Sequence, residues 1–141
     1  MKYVFSILPL LIGGFLYLGY RTERLLMFDW VDNLGLRPTI YQFRLFCTEH
    51  PLPSWIYYSL PNGLWLLSYM LLISVIWDKK DNAQYLFWMY FLPIIALISE
   101  LLQLFISKLG TFDIVDVSSY LLAILTFKII ETWEANKMSC H

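Results

Sequence analysis

The sequence has little charge and lacks the residue patterns of several protein classes. Only 15% of its 141 residues are charged, whereas soluble domains usually carry about 25%. Two cysteines, with no CxxC motif, exclude a disulfide scaffold and a zinc-binding motif. The net charge of −1 lacks the basic excess of a nucleic-acid binder, so no nucleic-acid partner is expected. The Ser/His/Asp and Cys/His patterns of nucleophilic enzymes are not recognisable either.

Hydrophobic residues make up 59% of the chain and are gathered into four long stretches. The stretches cover residues 3–20, 61–77, 85–107 and 113–133, and each reaches or approaches the roughly 20 residues that a helix needs to cross a bilayer. The first has no signal-peptide cleavage site, so it is expected to be retained. The six tryptophans lie near the ends of the stretches, as in the aromatic belts of membrane proteins. These features predict a single all-α membrane domain, residues 1–141, with four transmembrane helices.

The connection between the first two stretches, residues 21–59, is too charged to cross a bilayer. Its residues 24–34 carry apolar side chains at helical spacing, which predicts an amphipathic helix in the membrane interface: Leu26, Met27, Trp30, Val31 and Leu34. Prolines interrupt the remainder, and Ser54 is a candidate cap for a short helical turn. The membrane face with the two termini and the opposite face carry equal numbers of Lys and Arg. Arg37, on the opposite face, lies far from either flanking stretch and counts for less, which favours cytoplasmic termini in a bacterial inner membrane. Cys47 and Cys140 are then predicted on opposite faces.

Glu100 is the most informative residue, because it lies inside an otherwise almost wholly apolar stretch. A carboxylate at mid-bilayer depth costs roughly 2.5–3.5 kcal/mol to insert, so it is a candidate functional residue. In a four-helix hairpin arrangement, one membrane face receives the long connection, the start of the second stretch, the end of the third and the start of the fourth. The polar residues concentrate towards that face: Asn62, Glu100, Gln103, Asp113, Asp116 and Tyr120. A shallow polar pocket roofed by residues 21–59 is therefore predicted.

Each of these residues also has a structural interpretation. Asp113 and Asp116 have the spacing of a helix N-cap and an N3 acid. Asn62 could equally cap a helix, and Gln103 could form a hydrogen bond between helices. Glu100 has no helix end to cap, and its structural alternative is a hydrogen bond or an ion pair with Arg44, Asn62 or Tyr69.

The segment from Glu100-Leu-Leu-Gln103 to Asp113-Ile-Val-Asp116 resembles the signature of the VanZ-like family of small bacterial membrane proteins. That signature has a Glu-x-x-Gln on one helix and an Asp-x-x-Asp at the start of the next, and the likeness covers about residues 59–127. The chain departs from this signature at the turn, where Gly110-Thr111 stands in place of an arginine. Tyr120 stands where the family has an asparagine, and Ala123 where it has a glycine. Residues 59–65 lack the Lys and His that the family has near the start of this helix. The resemblance implies an envelope setting, because the family is associated with resistance to glycopeptides such as teicoplanin.

Three functions fit this pattern. The first is a pocket at headgroup depth that acts on or binds a lipid or a lipid-linked cell-wall precursor. In this pocket, Glu100 and Asp116 are the candidate catalytic residues. Asp113 and Asp116 could position a divalent cation. The residues expected to bind the headgroup are Asn62, Gln103, Asp113, Tyr120 and Arg44, with Arg44 at a phosphate. The second is a non-catalytic subunit or chaperone that pairs with a partner membrane protein or with further copies of itself. The third, a small proton- or cation-coupled carrier, is the least favoured, because inverted repeats are absent. The sequence identifies no cofactor.

Overall fold

The regular structure among the described residues consists of helices, with no strand. The computed structural model describes residues 2–22, 26–77, 82–106 and 110–139. In chain order the helices are α1 (Lys2–Tyr20), α2 (Leu26–Asn33), α3 (Arg37–Glu49), α4 (Ser54–Tyr58), α5 (Leu60–Ile76), α6 (Ala83–Phe105) and α7 (Ile114–Ser139). The predicted all-α class is confirmed. The four apolar stretches fall on α1, α5, α6 and α7, and α7 continues six residues beyond the predicted end.

Among the described residues, two helical segments are long and apolar enough to cross a membrane. One is the segment from Ser54 to Ile76, which joins α4 to α5, and the other is α6, Ala83–Phe105. The apolar part of α1, Val4–Tyr20, is shorter. The longer α7 carries Asp116, Lys128 and Glu131 within its apolar sequence.

Helix α5 is the central element of the bundle. It packs most extensively against α1 and α7, and it also contacts α4 and α6. Trp65 near the start of α5 lies against Gly13 and the ring of Tyr17, whereas Ser68, further along, donates a hydrogen bond to the Ser6 carbonyl. The order of these contacts shows that α1 and α5 are antiparallel.

Helices α5 and α7 run parallel, and α6 is antiparallel to both. Gly63 lies against the backbone of Ser119, so the starts of α5 and α7 are neighbours. At the opposite end, Tyr85 near the start of α6 donates to Glu131 near the end of α7 at 3.3 Å. The four long helices thus alternate in direction, with the end of α6 beside the start of α7. The buried core lies between α5, α6 and α7 and consists of Met70, Ile73, Tyr85, Met89 and Phe127.

The described part of the long connection forms three helices, of which α3 was not predicted. Pro38 lies in the first turn of α3, where a proline needs no hydrogen-bond partner for its nitrogen. Cys47 of α3 is buried against Gly19 of α1, so this thiol is closed to a labelling reagent. Cys140 lies outside the described residues.

The amphipathic helix predicted over residues 24–34 corresponds to α2, although its first two residues lie outside the described part of the chain. Phe28 and Val31 are buried side chains of this helix. Leu26, Trp30 and Leu34 are exposed at i, i+4 and i+8 and form one outward apolar stripe. Helix α3 packs against α1 and α2, and α4 packs against α5 and α1.

Gly63 is predicted to be essential for the α5–α7 contact. A Cβ at this position would lie 2.7 Å from the Ser119 carbonyl oxygen, which belongs to a helix backbone and cannot move aside. Gly63→Ala should therefore lower the free energy of unfolding by about 1–3 kcal/mol, measured by thermal or denaturant unfolding in detergent.

Gly14→Ala is the matched control, because a Cβ there meets nothing within 4 Å. This variant should be unchanged or more stable by about 0.5–1 kcal/mol, since alanine favours helix over glycine. Equal behaviour of the two variants would contradict the close packing of α5 against α7.

Candidate functional site

Glu100 is buried near the end of α6, with only 5% of its surface exposed. One of its carboxylate oxygens, Oε2, has no hydrogen-bond partner. Glu100 lies within electrostatic range of Asp116 and Asp113, and the Gln103 side chain and the Asp113 backbone are near enough to interact with it. The hairpin of α6 and α7 therefore brings the carboxyl groups of two neighbouring helices together.

Asp113 and Asp116 have different positions at the start of α7. Asp113 immediately precedes the helix, and its Oδ1 accepts the backbone N–H of Val115 at 2.8 Å, which is the interaction of an N-cap. The interpretation of Asp113 as the N-cap of α7 is therefore confirmed for Oδ1. Asp116 lies at the third position of α7, and its buried Oδ1 has no hydrogen-bond partner. Asp116 is thus the member of the pair that is not used to cap the helix.

Gln103 faces the turn that joins α6 to α7. A Cβ on Gly110 would lie 3.0 Å from Gln103 Oε1, so the amide side chain rests against the glycine backbone. Gly110 has a φ of 141°, which other residues rarely adopt. Glycine at this position thus permits both the path of the turn and the close approach of Gln103.

Tyr120 completes the group one turn further along α7, within electrostatic range of both Glu100 and Asp116. We call the five residues Glu100, Gln103, Asp113, Asp116 and Tyr120 the acidic cluster. Five of the seven predicted site residues are therefore neighbours at one end of the bundle.

The other two predicted residues, Asn62 and Arg44, lie on α5 and α3, outside the α6–α7 hairpin. Asn62 is partly buried in the first turn of α5. Arg44 lies on the α1 side of the bundle, where it donates to the carbonyls of Leu18 and Arg21 at 2.7 and 2.8 Å. These bonds satisfy carbonyls at the end of α1, so a phosphate at Arg44 would have to compete with them.

The acidic cluster offers acceptors without enough donors. Glu100 and Asp116 each present a buried oxygen that lacks a partner, and two neighbouring negative charges repel strongly where water is excluded. Such a group favours a proton, a cation or a ligand that donates hydrogen bonds. Within the described residues, no three acidic, histidine or cysteine side chains are arranged to hold a metal ion. The unpartnered oxygens therefore suit the donor groups of a ligand.

A second polar group, at the opposite end of the bundle, was missed by the sequence analysis. Lys128 is 2.9 Å from Glu131 Oε2, and Tyr85 donates to the other oxygen of the same carboxylate. The i,i+3 spacing of Lys128 and Glu131 on one helix was the available signal. A cavity of about 660 Å³ lies beside this group, between α1, α5 and α7. The acidic cluster is the stronger candidate site because the Glu131 carboxylate is already neutralised by its lysine, whereas oxygens of Glu100 and Asp116 lack partners.

Comparison with known proteins gave no match to a family model, a curated protein or a solved structure.

The two glutamates should respond oppositely to replacement by glutamine. Glu100→Gln removes a buried charge beside Asp116 and supplies two donors, so it should raise the free energy of unfolding by about 1–2 kcal/mol. Glu131→Gln breaks the pair with Lys128 and should lower it by about 0.5–1 kcal/mol. Both values are measured by reversible unfolding in detergent. A Glu100→Gln variant that loses 2 kcal/mol or more would assign Glu100 a purely structural role.

Proposed function

We propose that this chain is a multi-pass protein of the bacterial inner membrane whose acidic cluster binds the headgroup of a lipid or of a lipid-linked cell-wall precursor. The observation that carries the proposal is the proximity of the buried Glu100 carboxyl group to the half-buried Asp116, each of which has a buried oxygen without a partner. Buried polar atoms without partners are rare in folded proteins, and they are expected where a ligand supplies the missing bonds.

The membrane setting is supported by the outward faces of the long helices. Only 22% of the apolar window in α6, and 33% of that in α4–α5, is buried inside the structure, which is not the pattern of the core helix of a soluble protein. Monomeric soluble proteins rarely expose apolar patches of this extent. Exposed large apolar side chains include Phe5, Leu8, Phe15, Phe87, Ile94, Ile98, Leu121, Leu125 and Ile129.

Four crossings are supported by the alternating directions of α1, α5, α6 and α7. Helices α1 and α7 carry exposed apolar side chains along their length, as α6 does. If all four cross, the acidic cluster lies near one membrane face, because it is formed by the last two turns of α6 and the first two of α7. Glu100 lies five residues, or about 8 Å, before the end of α6, which is headgroup depth or slightly below.

The chemistry of the cluster restricts the headgroup. Its free oxygens are acceptors, so a suitable headgroup supplies hydroxyl, amide or amine donors, as sugars and amino-alcohols do. Gln103 and Tyr120 can add bonds of either direction. If a reaction follows binding, Glu100 and Asp116 are the groups positioned to exchange a proton. The envelope setting is supported by the resemblance of Glu100, Gln103, Asp113 and Asp116 to the VanZ-like signature.

The number of crossings can be tested with introduced cysteines. Glu49 and Ala135 are exposed and lie before α5 and near the end of α7, so three crossings separate them in the four-helix topology. Single cysteines at these positions, in a background with Cys47→Ala and Cys140→Ser, should differ in labelling by an impermeant maleimide in sealed cells. Both should be labelled after permeabilisation. Equal labelling in sealed cells would contradict four crossings and favour two.

Headgroup binding is tested by the Glu100→Gln variant. The protein is purified in mild detergent, exposed to a total lipid extract of bacterial envelopes, and analysed by native mass spectrometry. Unmodified protein should retain a lipid species above its abundance in the extract, and Glu100→Gln should reduce that enrichment about tenfold or more because it removes a charged acceptor.

Glu49→Gln is the control, because Glu49 is exposed at the end of α3 and outside the acidic cluster. It should leave the enrichment unchanged. Retention of all lipids in proportion to the extract by the unmodified protein would overturn the proposal. If Glu100→Gln instead loses a co-purifying membrane protein, the cluster serves the alternative function of a subunit or chaperone.

A further inference from the structure

A narrow groove runs between the first halves of α5 and α7, beside the acidic cluster but separate from it. Its volume is about 300 Å³, at the lower limit of small-molecule sites. The walls consist of apolar and small side chains, among them Gly63, Leu67, Ser119, Ala123 and Thr126. Its length from Ser59 to Leu67 is eight residues, or about 12 Å along the axis of α5.

Ser59 lies at the end of this groove, and its hydroxyl is not used by the protein. The residue is only 1% exposed, and its Oγ has no hydrogen-bond partner. It lies between α4 and α5, at the same end of the bundle as the acidic cluster. A buried hydroxyl without a partner costs free energy unless a ligand completes the bond. The groove thus combines an apolar channel with one polar atom at its end.

The rim of the groove is built from large exposed side chains. Trp55 of α4 is 53% exposed and Leu122 of α7 is 63% exposed, and both line the opening. Between them, Gly63 holds the two helices so close that a Cβ would meet the Ser119 carbonyl. The groove is therefore narrow, and its floor lies below the Trp55 and Leu122 side chains. A partner helix, which needs about 8–10 Å between axes, would be held away from the floor of such a groove.

We propose that this groove binds one ester-linked acyl chain of a membrane lipid, with the Ser59 hydroxyl donating to the ester carbonyl. The inference rests on the proposed membrane setting and extends it from the headgroup to the chain. The hydroxyl lies at the membrane boundary, where lipid esters lie, and the apolar channel continues about 12 Å inward from it, less than half of the roughly 30 Å hydrocarbon core. The groove therefore holds the first part of the chain, next to the glycerol.

The groove and the acidic cluster occupy neighbouring faces of the same turns of α7. Val115 and Ser119 line the groove, whereas Asp113, Asp116 and Tyr120 face α6. Ser119 also donates to the backbone carbonyl of Asp116 at 2.8 Å, within the turn that both sites share. A lipid whose chain lies in the groove would place its headgroup over the start of α7, beside the cluster.

The experiment uses photo-crosslinking in vesicles. The full chain is reconstituted into phosphatidylethanolamine and phosphatidylglycerol vesicles that contain a phosphatidylethanolamine with a diazirine near the ester end of one acyl chain. After irradiation, crosslinked peptides are quantified by mass spectrometry. Peptides containing residues 59–67 and 115–126 should be enriched over the outward faces of α1 and α6, whose contact with lipid is not selective.

Two threonines of α7 provide a matched pair of variants. Thr126 and Thr132 are both exposed, and each donates its hydroxyl to the carbonyl four residues earlier, at 2.7 and 3.0 Å. Thr126 lines the groove, whereas Thr132 does not. Thr126→Phe should fill the channel and reduce crosslinking of the groove peptides about tenfold, and Thr132→Phe should leave it unchanged.

The role of Ser59 is tested by comparing ester-linked and ether-linked lipid probes of equal length. Unmodified protein should favour the ester about fivefold in competition, the effect of one hydrogen bond, and Ser59→Ala should abolish that preference while keeping the chain in the groove. Equal crosslinking of all outward faces, with no effect of Thr126→Phe, would overturn the groove inference and leave the membrane proposal intact. No lipid crosslink anywhere in the chain would overturn both, and a crosslink between the groove and a second protein chain would replace the lipid by a helix.

Discussion

The close approach of α5 and α7 at Gly63 is the contact on which the remaining geometry depends. Because a glycine lies against the Ser119 backbone, the two helices start side by side, and the start of α7 is fixed in both position and rotation. That rotation directs Asp116 towards α6 and Ser119 towards α5. The acidic cluster and the groove are therefore consequences of one backbone contact. A side chain at residue 63 would shift both at once.

The buried polar atoms are distributed unevenly along this bundle. At the end with Tyr85, Lys128 and Glu131, a cation and a hydroxyl satisfy the carboxylate. At the opposite end, Glu100 and Asp116 lie within electrostatic range of each other and retain oxygens without partners. In this bundle, a carboxylate with a structural role is therefore paired with a lysine and a tyrosine hydroxyl. The contrast is the reason for assigning a binding role to the second pair, since an apolar side chain at residue 100 would pack without this cost.

The sequence was sufficient to predict the helical class, the four long helices and the neighbourhood of Glu100, Gln103, Asp113 and Asp116. These follow from the length of the apolar stretches and from i,i+3 spacing at the two sides of a short turn, and both are local properties. Helix α3 was missed because its pattern is weakly apolar and starts beside Pro38, which had been interpreted as an interruption.

Long-range packing was less accessible from the sequence. Arg44 is predicted to contact a ligand phosphate, and its donation to the carbonyls of Leu18 and Arg21 at the end of α1 was not anticipated. No pattern within α3 indicates which helix end lies opposite. The groove could not be predicted from the sequence either, because its glycine and hydroxyl residues line a channel only when α5 and α7 pack at a particular distance. Ser59 looked like an ordinary loop serine for the same reason.

The physical relation between the two sites constrains what kind of molecule could use both. In the proposed membrane setting, the polar acidic cluster lies at the membrane boundary and the apolar groove begins at the same depth. Together they would match an amphiphile rather than a soluble metabolite. A headgroup that offers hydrogen-bond donors would bind at Glu100 and Asp116, but without an acyl chain in the groove it would dissociate into the water. A chain alone would gain little over the surrounding lipid, because an apolar channel is no better a solvent than the bilayer. Selectivity therefore requires that the same molecule satisfy the carboxyl oxygens and the Ser59 hydroxyl, and the spacing between those atoms along the start of α7 is what would select one membrane lipid from the others.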